Sequence, residues 1–109
     1  ANGDSNPSTS GMLTMCPASD NPYTPEIIGD SNRLARLVLD QMVKSTGATS
    51  KGIIETNNMS GINWCKIPVT IIEMGFMSNP DEDRLLQTED YQKKIVDGIS
   101  NGVDKYFEI

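Results

Sequence analysis

The sequence predicts an α/β protein whose elements follow the order β-α-β-β-α-α. Short apolar runs of strand length alternate with two longer segments in which apolar residues recur at helical spacing. A strong helix-start motif lies between the last predicted strand and the last predicted helix. The chain has 109 residues, of which 37% are hydrophobic and 22% are charged. That length and composition are typical of one globular domain and not of a disordered chain.

The first predicted strand is the apolar run MLTMC at residues 12 to 16, which stops at Pro17. The ten residues PASDNPYTPE that begin at Pro17 contain three prolines and several other turn-forming residues. We therefore expect a surface loop over residues 17 to 26.

The first predicted helix covers residues 30 to 46, where apolar side chains fall at helical spacing. Asp30 or Ser31 can serve as its N-cap, and Gly47 stands where a glycine commonly ends a helix. The apolar stripe is wide, so we expect this helix to be buried against a sheet. Its members are Leu34, Leu37, Val38 and Met42, widened by Ala35, Leu39 and Val43.

Two further strands are predicted after this helix. The run GIIET at residues 52 to 56 is a short strand candidate, and NNMSG after it reads as a turn. Residues 69 to 72 are nearly all apolar and β-branched, which favours a central strand covered on both faces. Pro68 can open that strand, and Glu73 follows its last apolar residue.

The motif NPDE at residues 79 to 82 predicts a short helix. Asn79 suits the N-cap and Pro80 the first helical position, while Glu82 can reach back to complete a capping box. The helix should run through Leu85 and Leu86.

The last predicted helix is capped by Thr88 and carries an apolar residue every fourth position. Its stripe consists of Tyr91, Ile95, Ile99 and Val103, with Val96 and Tyr106 alongside. Gly98 and Gly102 each weaken a helix by about 1 kcal/mol relative to alanine. Their presence indicates close packing against a neighbouring element.

Charge and composition exclude several classes of protein. The net charge of −6 disfavours nucleic-acid binding, because such a surface repels phosphate backbones. No apolar run reaches the roughly 18 residues of a transmembrane helix. The sequence contains no histidine, so a Ser-His-Asp triad, a Cys-His dyad and a His-based zinc site are all excluded within it. The two cysteines, Cys16 and Cys65, lie in apolar settings, and we expect them to be reduced.

Glu73 is the first candidate for a catalytic residue because it is a carboxylate at the end of an apolar strand. In an open α/β sheet, ligands bind beyond the carboxyl ends of the strands. A half-buried carboxylate there suits proton transfer, and Gly75 and Phe76 would shape the loop that follows. The alternative is structural: Glu73 pairs with Lys66 or Arg84, or caps a helix.

The segment from residue 67 to residue 107, IPVTIIEMGFMSNPDEDRLLQTEDYQKKIVDGISNGVDKYF, resembles the C-terminal part of the zinc-dependent N-acetylmuramoyl-L-alanine amidases. In that family a strand ends in Val-Glu-x-Gly-Phe-x-Ser-Asn-Pro, followed by acidic residues, a Leu-Leu pair, Tyr-Gln and a final helix with Gly-Ile. The matching residues here are Glu73, Gly75, Phe76, Ser78, Asn79, Pro80, Leu85, Leu86, Tyr91, Gln92, Gly98 and Ile99. Upstream, NMSGINWCKIP and SNRLARLVLDQMVKSTGATSKGI also resemble the family.

The resemblance implies that residues 1 to 109 are the C-terminal portion of an amidase catalytic domain. The fold would be the later part of a twisted mixed sheet flanked by helices. Zinc in this family is held by a His, a Glu and a second His, all upstream of this chain. The second His belongs to a Ser-x-His-x-Asn motif whose last two positions would match Ala1 and Asn2. We therefore expect no metal ligand and no bound cofactor in this chain alone, which would make the isolated chain inactive.

The resemblance also implies an activity, which is hydrolysis of the amide between N-acetylmuramic acid and L-alanine in bacterial peptidoglycan. Zinc would polarise the carbonyl and acidify a water molecule. Glu73 would take the proton from that water as general base and deliver it to the leaving amine. Peptidoglycan is then the partner, and the site of action is extracytoplasmic, at the cell wall.

Three residues are weaker substrate-binding candidates. Asn63 and Trp64 lie one short segment before Glu73 and could line a groove for stem peptide or sugar. A lone Trp is more often a core residue. Asn79 is a helix cap first and a ligand contact second.

Two other interpretations remain open. One is a catalytically inactive α/β domain that binds peptidoglycan or a protein partner, and the other is an unrelated α/β domain in which Glu73 is structural. If the chain is the later half of a sheet, a strand edge is exposed and the isolated chain should self-associate.

Overall fold

The strands of the computed structural model, which describes residues 3–108, form one mixed sheet in the order β2-β1-β3. Strand β1 is Met12–Pro17, β2 is Ser50–Thr56 and β3 is Ile71–Glu73. β1 pairs with β2 in parallel and with β3 antiparallel. The predicted α/β class and the predicted element order are both confirmed, with one short helix and one 3₁₀ turn added.

The prediction that residues 69 to 72 form a central strand is wrong for the part of the chain that the structure describes. There, β1 is the central strand and β3 lies at an edge, with half-buried residues. The backbone N–H of Val69 donates to Ser31 Oγ at 2.9 Å, and Thr70 Oγ1 donates to the carbonyl of Met15 at 2.9 Å. These side-chain bonds occupy the segment before the ladder, so regular pairing begins only at Ile71.

Helix α1, Ile28–Thr46, begins earlier than the sequence predicts. A 3₁₀ turn at Pro25–Ile27 leads directly into it. Ser31 is therefore inside the first turn, and its hydroxyl binds Val69 instead of capping the helix. The predicted end is confirmed, because the N–H of Gly47 donates to the carbonyl of Val43 at 2.8 Å.

Three more helices follow: α2 at Ser60–Asn63, α3 at Pro80–Leu86 and α4 at Glu89–Tyr106. The sequence did not predict α2, since a helix of one turn has no room to show an apolar period. The predicted caps of α3 and α4, Asn79 and Thr88, are confirmed by side-chain hydrogen bonds to the first-turn backbone. Within residues 3–108, no helix is long and apolar enough to cross a membrane.

The core lies where α1 packs on β1 and β2 and α4 packs along α1. The alternation of β1 directs Thr14 at α1, where its Oγ1 donates to the carbonyl of Ala35 at 3.0 Å. The buried core residues are Met12, Val38, Leu39, Met42, Tyr91 and Ile95. The two helix-weakening glycines of α4 lie against the backbone of α1, which confirms the predicted close packing.

Candidate active site

Glu73 is the last residue of β3 and lies directly opposite Leu13 of β1. Residues opposed across a strand pair project to the same face of the sheet, with Cβ atoms about 5 Å apart. Since Thr14 points at α1, both Leu13 and Glu73 project to the other face. Leu13 is 5% exposed and Glu73 is half-buried. The carboxylate therefore has an aliphatic neighbour on one side.

The antiparallel direction of β3 brings Glu73 to the end of the sheet at which β1 begins. The expectation that it shares an edge with the carboxyl ends of the other strands is wrong for β1 and β2, which run the opposite way. Its neighbours in sequence meet the N-terminal segment instead, because the N–H of Asp4 donates to Ser78 Oγ at 3.1 Å. Ala1 and Asn2, which would match the family's metal-binding motif, lie outside the described residues.

The structural alternative for Glu73 is not supported within residues 3–108. Arg84 pairs with Asp81 at 3.5 Å, and Glu73 forms no ion pair with Arg84 or Lys66. In the same part of the chain, the Glu73 carboxylate caps no helix. In that part of the chain, Glu73 is thus a half-buried carboxylate with no ion-pair partner.

The loop after Glu73 is held in shape by Gly75 and Phe76. Gly75 has a φ of 153°, in a region that side chains rarely adopt, and a Cβ there would lie 3.4 Å from Glu82 Oε1. Phe76 is 4% exposed and anchors the loop in the interior, as the sequence predicts. The ammonium of Lys51 lies 5.7 Å from the centre of its ring.

Glu82 does not form the predicted capping box with Asn79. Its Oε1 accepts the N–H of Phe76 at 2.9 Å, and its two oxygens accept the N–H of Gly11 at 3.1 and 3.0 Å. The N–H of Asn79 donates instead to the carbonyl of Phe76 at 3.1 Å. The carboxylate thus connects the loop after β3 with the residue before β1.

Asn79 lies on the same loop as Glu73 but is occupied by its structural role. Its Oδ1 accepts the N–H of Asp81 at 3.0 Å and the N–H of Glu82 at 3.2 Å. These bonds satisfy two of the free amides that begin helix α3. Its Nδ2 group donates no hydrogen bond within residues 3–108.

Asn63 and Trp64 lie at the other end of the sheet. They follow β2, whose last residue Thr56 pairs with Pro17 at the end of β1, whereas Glu73 pairs with Leu13 near its start. Four residues of strand separate those two ends, about 13 Å at roughly 3.3 Å per residue. The structure therefore does not bring Asn63 and Trp64 together with Glu73.

A groove of about 540 Å³ runs past Trp64, which is 85% exposed, and Tyr23, which is 67% exposed. Amide side chains form its wall: Asn63 Oδ1 accepts from Asn21 Nδ2 at 2.9 Å, and Asn63 Nδ2 donates to the carbonyl of Asn57 at 2.7 Å. Sequence patterns did not predict that Tyr23 joins this groove, because Tyr23 lies about 40 residues before Trp64, in a loop.

No metal centre can be assembled from the described residues. Among residues 3–108, no three His, Cys, Asp or Glu side chains lie close enough together to hold a metal ion. The whole sequence has no histidine. The residues that the structure describes therefore do not fit zinc by themselves.

Comparison with known proteins found one matching family profile and several similar proteins. A sequence profile described as N-acetylmuramoyl-L-alanine amidase matches residues 1–105. The uncharacterized protein YqiI of Bacillus subtilis is 33% identical over 79 residues, covering 72% of this chain and 38% of that protein. The amidase AmiC of Neisseria meningitidis is 30% identical over 77 residues, covering 71% of this chain and 18% of that protein.

Solved structures show the same similarity. The catalytic domain of the amidase CwlV from Bacillus (Paenibacillus) polymyxa has a TM-score of 0.81 at 26% identity, covering 97% of this chain and 53% of that one. The CwlD amidase of Clostridioides difficile, solved in complex with the GerS lipoprotein, has a TM-score of 0.83 at 25% identity. That match covers 96% of this chain and 50% of CwlD.

The chain thus spans about half the length of these solved amidases and less than two fifths of the two curated relatives. The profile match over residues 1–105 covers nearly the whole chain of 109 residues. The chain belongs to the N-acetylmuramoyl-L-alanine amidase family.

Proposed function

We propose that this chain is the C-terminal half of the catalytic domain of a peptidoglycan hydrolase, with Glu73 as its general base. The bond cleaved is the amide between N-acetylmuramic acid and the L-alanine of the stem peptide. The observation that carries the proposal is the position of Glu73: it is half-buried, has no cationic partner within residues 3–108, and ends a strand beside the N-terminal segment.

Glu73 acts in two successive proton transfers. Its carboxylate first accepts a proton from the attacking water, which leaves the nucleophile deprotonated as the carbon–oxygen bond forms. The protonated Glu73 then delivers that proton to the departing amine of L-alanine as the carbon–nitrogen bond breaks. Each transfer needs the carboxylate within about 3 Å of the reacting atom. The buried anchor Phe76 and the opposed Leu13 restrict where the end of β3 can move.

Zinc, which the family resemblance implies, would be held by residues outside this chain and would polarise the carbonyl. The contact between Asp4 and Ser78 supports this arrangement. It ties the N-terminal segment, where the upstream residues would join, to the loop that follows Glu73. The cell wall lies outside the cytoplasm, so we infer that the complete protein acts there.

We propose that the groove at Tyr23, Asn63 and Trp64 binds a part of the peptidoglycan polymer that lies away from the bond being cleaved. Exposed aromatic faces beside amide groups suit the apolar ring faces and polar substituents of amino sugars. If catalysis were absent, this groove would support the alternative of a peptidoglycan-binding domain. Replacing Trp64 with alanine in the complete protein should weaken sedimentation with insoluble peptidoglycan and leave cleavage of a short soluble substrate unchanged.

The test of the proposed base is Glu73→Gln in the complete enzyme, assayed on purified peptidoglycan. Glutamine keeps the size of glutamate but cannot accept the proton, and loss of a general base costs about 10²- to 10⁴-fold in rate. Binding to peptidoglycan and the thermal unfolding midpoint should stay at the wild-type values.

The matched control is Glu89→Gln, which removes an exposed carboxylate from the first turn of α4. It should lower stability by about 0.3–1 kcal/mol through the helix dipole and leave turnover unchanged. Near-normal turnover by Glu73→Gln would show that Glu73 is structural.

A further inference from the structure

Glu82 is the side chain that joins the two strand ends of the candidate site. It belongs to the first turn of α3, yet its carboxylate reaches backbone amides in two other segments. One is the N–H of Phe76, three residues after Glu73, and the other is the N–H of Gly11, two residues before Leu13. Leu13 and Glu73 are themselves directly opposed. The Glu82 carboxylate and the β1–β3 pairing therefore close a small ring around the end of β3.

The two backbone segments that this carboxylate contacts each include a glycine with a positive φ, a conformation that other residues rarely adopt. Gly11 has a φ of 113°, and a Cβ there would lie 2.7 Å from the carbonyl oxygen of Thr49. Gly75 has a φ of 153°, and a Cβ there would lie 3.4 Å from Glu82 Oε1. Conformations of this kind persist only when surrounding contacts enforce them. Glu82 supplies such contacts to the residues at and next to these glycines.

A carboxylate is the chemical group that fits this position. The amides of Gly11 and Phe76 are both donors, and a carboxylate offers acceptors on both oxygens. Within residues 3–108, Glu82 forms no ion pair, so these amides are its partners. A glutamine of the same length presents one oxygen and one NH₂ group, and the NH₂ group would face a donor.

We propose that Glu82 is a positioning residue that holds the end of β3, and with it the Glu73 carboxylate, in the geometry needed for proton transfer. This inference rests on the proposed role of Glu73. Glu82 itself touches no reacting atom. Its effect passes through Phe76 on one side and through Gly11 and Leu13 on the other. Misplacement of a reacting group by about 1 Å can cost about 10²-fold in rate.

The first measurement is amide hydrogen exchange in the complete protein, which needs neither added metal nor substrate. Glu82→Gln should keep the Phe76 contact through its oxygen and lower protection at Gly11, which loses one of its two acceptor oxygens and faces the NH₂ group instead. Glu82→Ala should lose protection at both amides. Amides in the middle of α1 and α4 should exchange at wild-type rates. Loss of protection throughout the chain would mean that Glu82 supports the whole fold, and would overturn the proposal.

The second measurement is kinetic, in the complete enzyme. Glu82→Gln should lower kcat by about 10- to 100-fold with little change in KM, because the base is displaced while the substrate contacts remain. Asp81→Asn is the matched control: it removes a neighbouring carboxylate whose partner is the exposed Arg84. That variant should retain wild-type kcat. A rise in KM with unchanged kcat for Glu82→Gln would contradict a positioning role.

The combined outcomes separate the two proposals. If Glu73→Gln is inactive and Glu82→Gln has wild-type kcat, the inference about Glu82 is wrong and the proposed base stands. If Glu73→Gln is fully active, both are wrong. Only loss of activity in both variants, with exchange changes confined to Gly11 and Phe76, supports the positioning role.

Discussion

Gly98 of α4 lies so close to Met42 of α1 that a Cβ at position 98 would stand 2.6 Å from the Cα of Met42. Gly102, one turn later, has the same relationship to Val38, also at 2.6 Å. The two helices therefore touch backbone to backbone along one seam. No rotamer change can relieve the contact, because the atoms in the way belong to the main chain.

We expect Gly98→Ala to destabilise the chain even though alanine is the better helix former. The added methyl group would force α1 and α4 apart, and overpacking of this kind costs about 1–3 kcal/mol. The matched control is Gly29→Ala, also within a helix, where a Cβ meets nothing within 4 Å. That variant should be neutral or more stable by up to about 1 kcal/mol. Urea unfolding of both variants gives the sign of the change in the free energy of unfolding. A Gly98→Ala variant more stable than the wild type would contradict the observed packing.

Asn79→Ala should lower the free energy of unfolding by about 0.5–2 kcal/mol, since the side chain caps α3 through Asp81 and Glu82. Asn79→Asp keeps an oxygen at the same position and should retain most of that stability. Denaturant unfolding of the two variants measures how much the cap hydrogen bonds contribute to the free energy of unfolding. If Asn79→Asp is stable but loses turnover in the complete enzyme, the amide nitrogen contacts substrate as well.

Within residues 3–108, local patterns predicted all three strands and three of the four helices, though not α2 or the starts of α1 and β3, because caps and periodicity act within a few residues. Asn79 and Thr88 begin helices where the sequence says they should, and Gly47 ends one. Pairing between distant segments was not predictable in the same way. The apolar run that ends at Glu73 suggested a central strand, but its place in the sheet depends on β1, which lies about 60 residues away.

The candidate site shows the same contrast between local features, which were predictable, and long-range contacts, which were not. Glu73 could be found from its own strand and from the motif that follows. The role of Glu82 could not, because a local capping box and a long-range bridge use the same residue at the same helix position. The bridge is formed because Gly11 and Phe76 present free amides to it. Trp64 was placed near Glu73 by sequence distance, and the direction of β3 separates them.

The two cysteines should differ in reactivity toward thiol reagents. Cys16 is fully buried in β1, and burial raises the pKa of its thiol, partly offset by the hydrogen bond from Asn32. A raised pKa leaves less thiolate at any given pH, and the thiolate is the reactive form. Cys65 is partly exposed.

At pH 8, one thiol per folded chain should therefore react quickly, and Cys65→Ser should abolish that fast phase. Cys16 should react only on unfolding or at higher pH. Equal rates for both thiols in the folded chain would contradict the burial of Cys16.

The isolated chain should self-associate through a strand edge. Within residues 3–108, β2 and β3 are both edge strands, and β2 offers seven residues on its open side. An uncovered edge of that length pairs readily with another strand. Ile54 on β2 is 43% exposed, which adds an apolar side chain to the open edge.

Sedimentation of the isolated chain should therefore show dimers or larger species that increase with concentration. Ile54→Lys places a charge on the edge and should shift the distribution toward monomer, since lysine is a residue that proteins use to block edge pairing. Ser100→Lys is the control: it adds the same charge at an exposed position of α4, on the side of that helix opposite its buried residues, and should leave association unchanged. A stable monomer for the unmodified chain, with one sharp unfolding transition, would mean that neither edge needs a partner. That result would also weaken the proposal that this chain is half of a larger sheet.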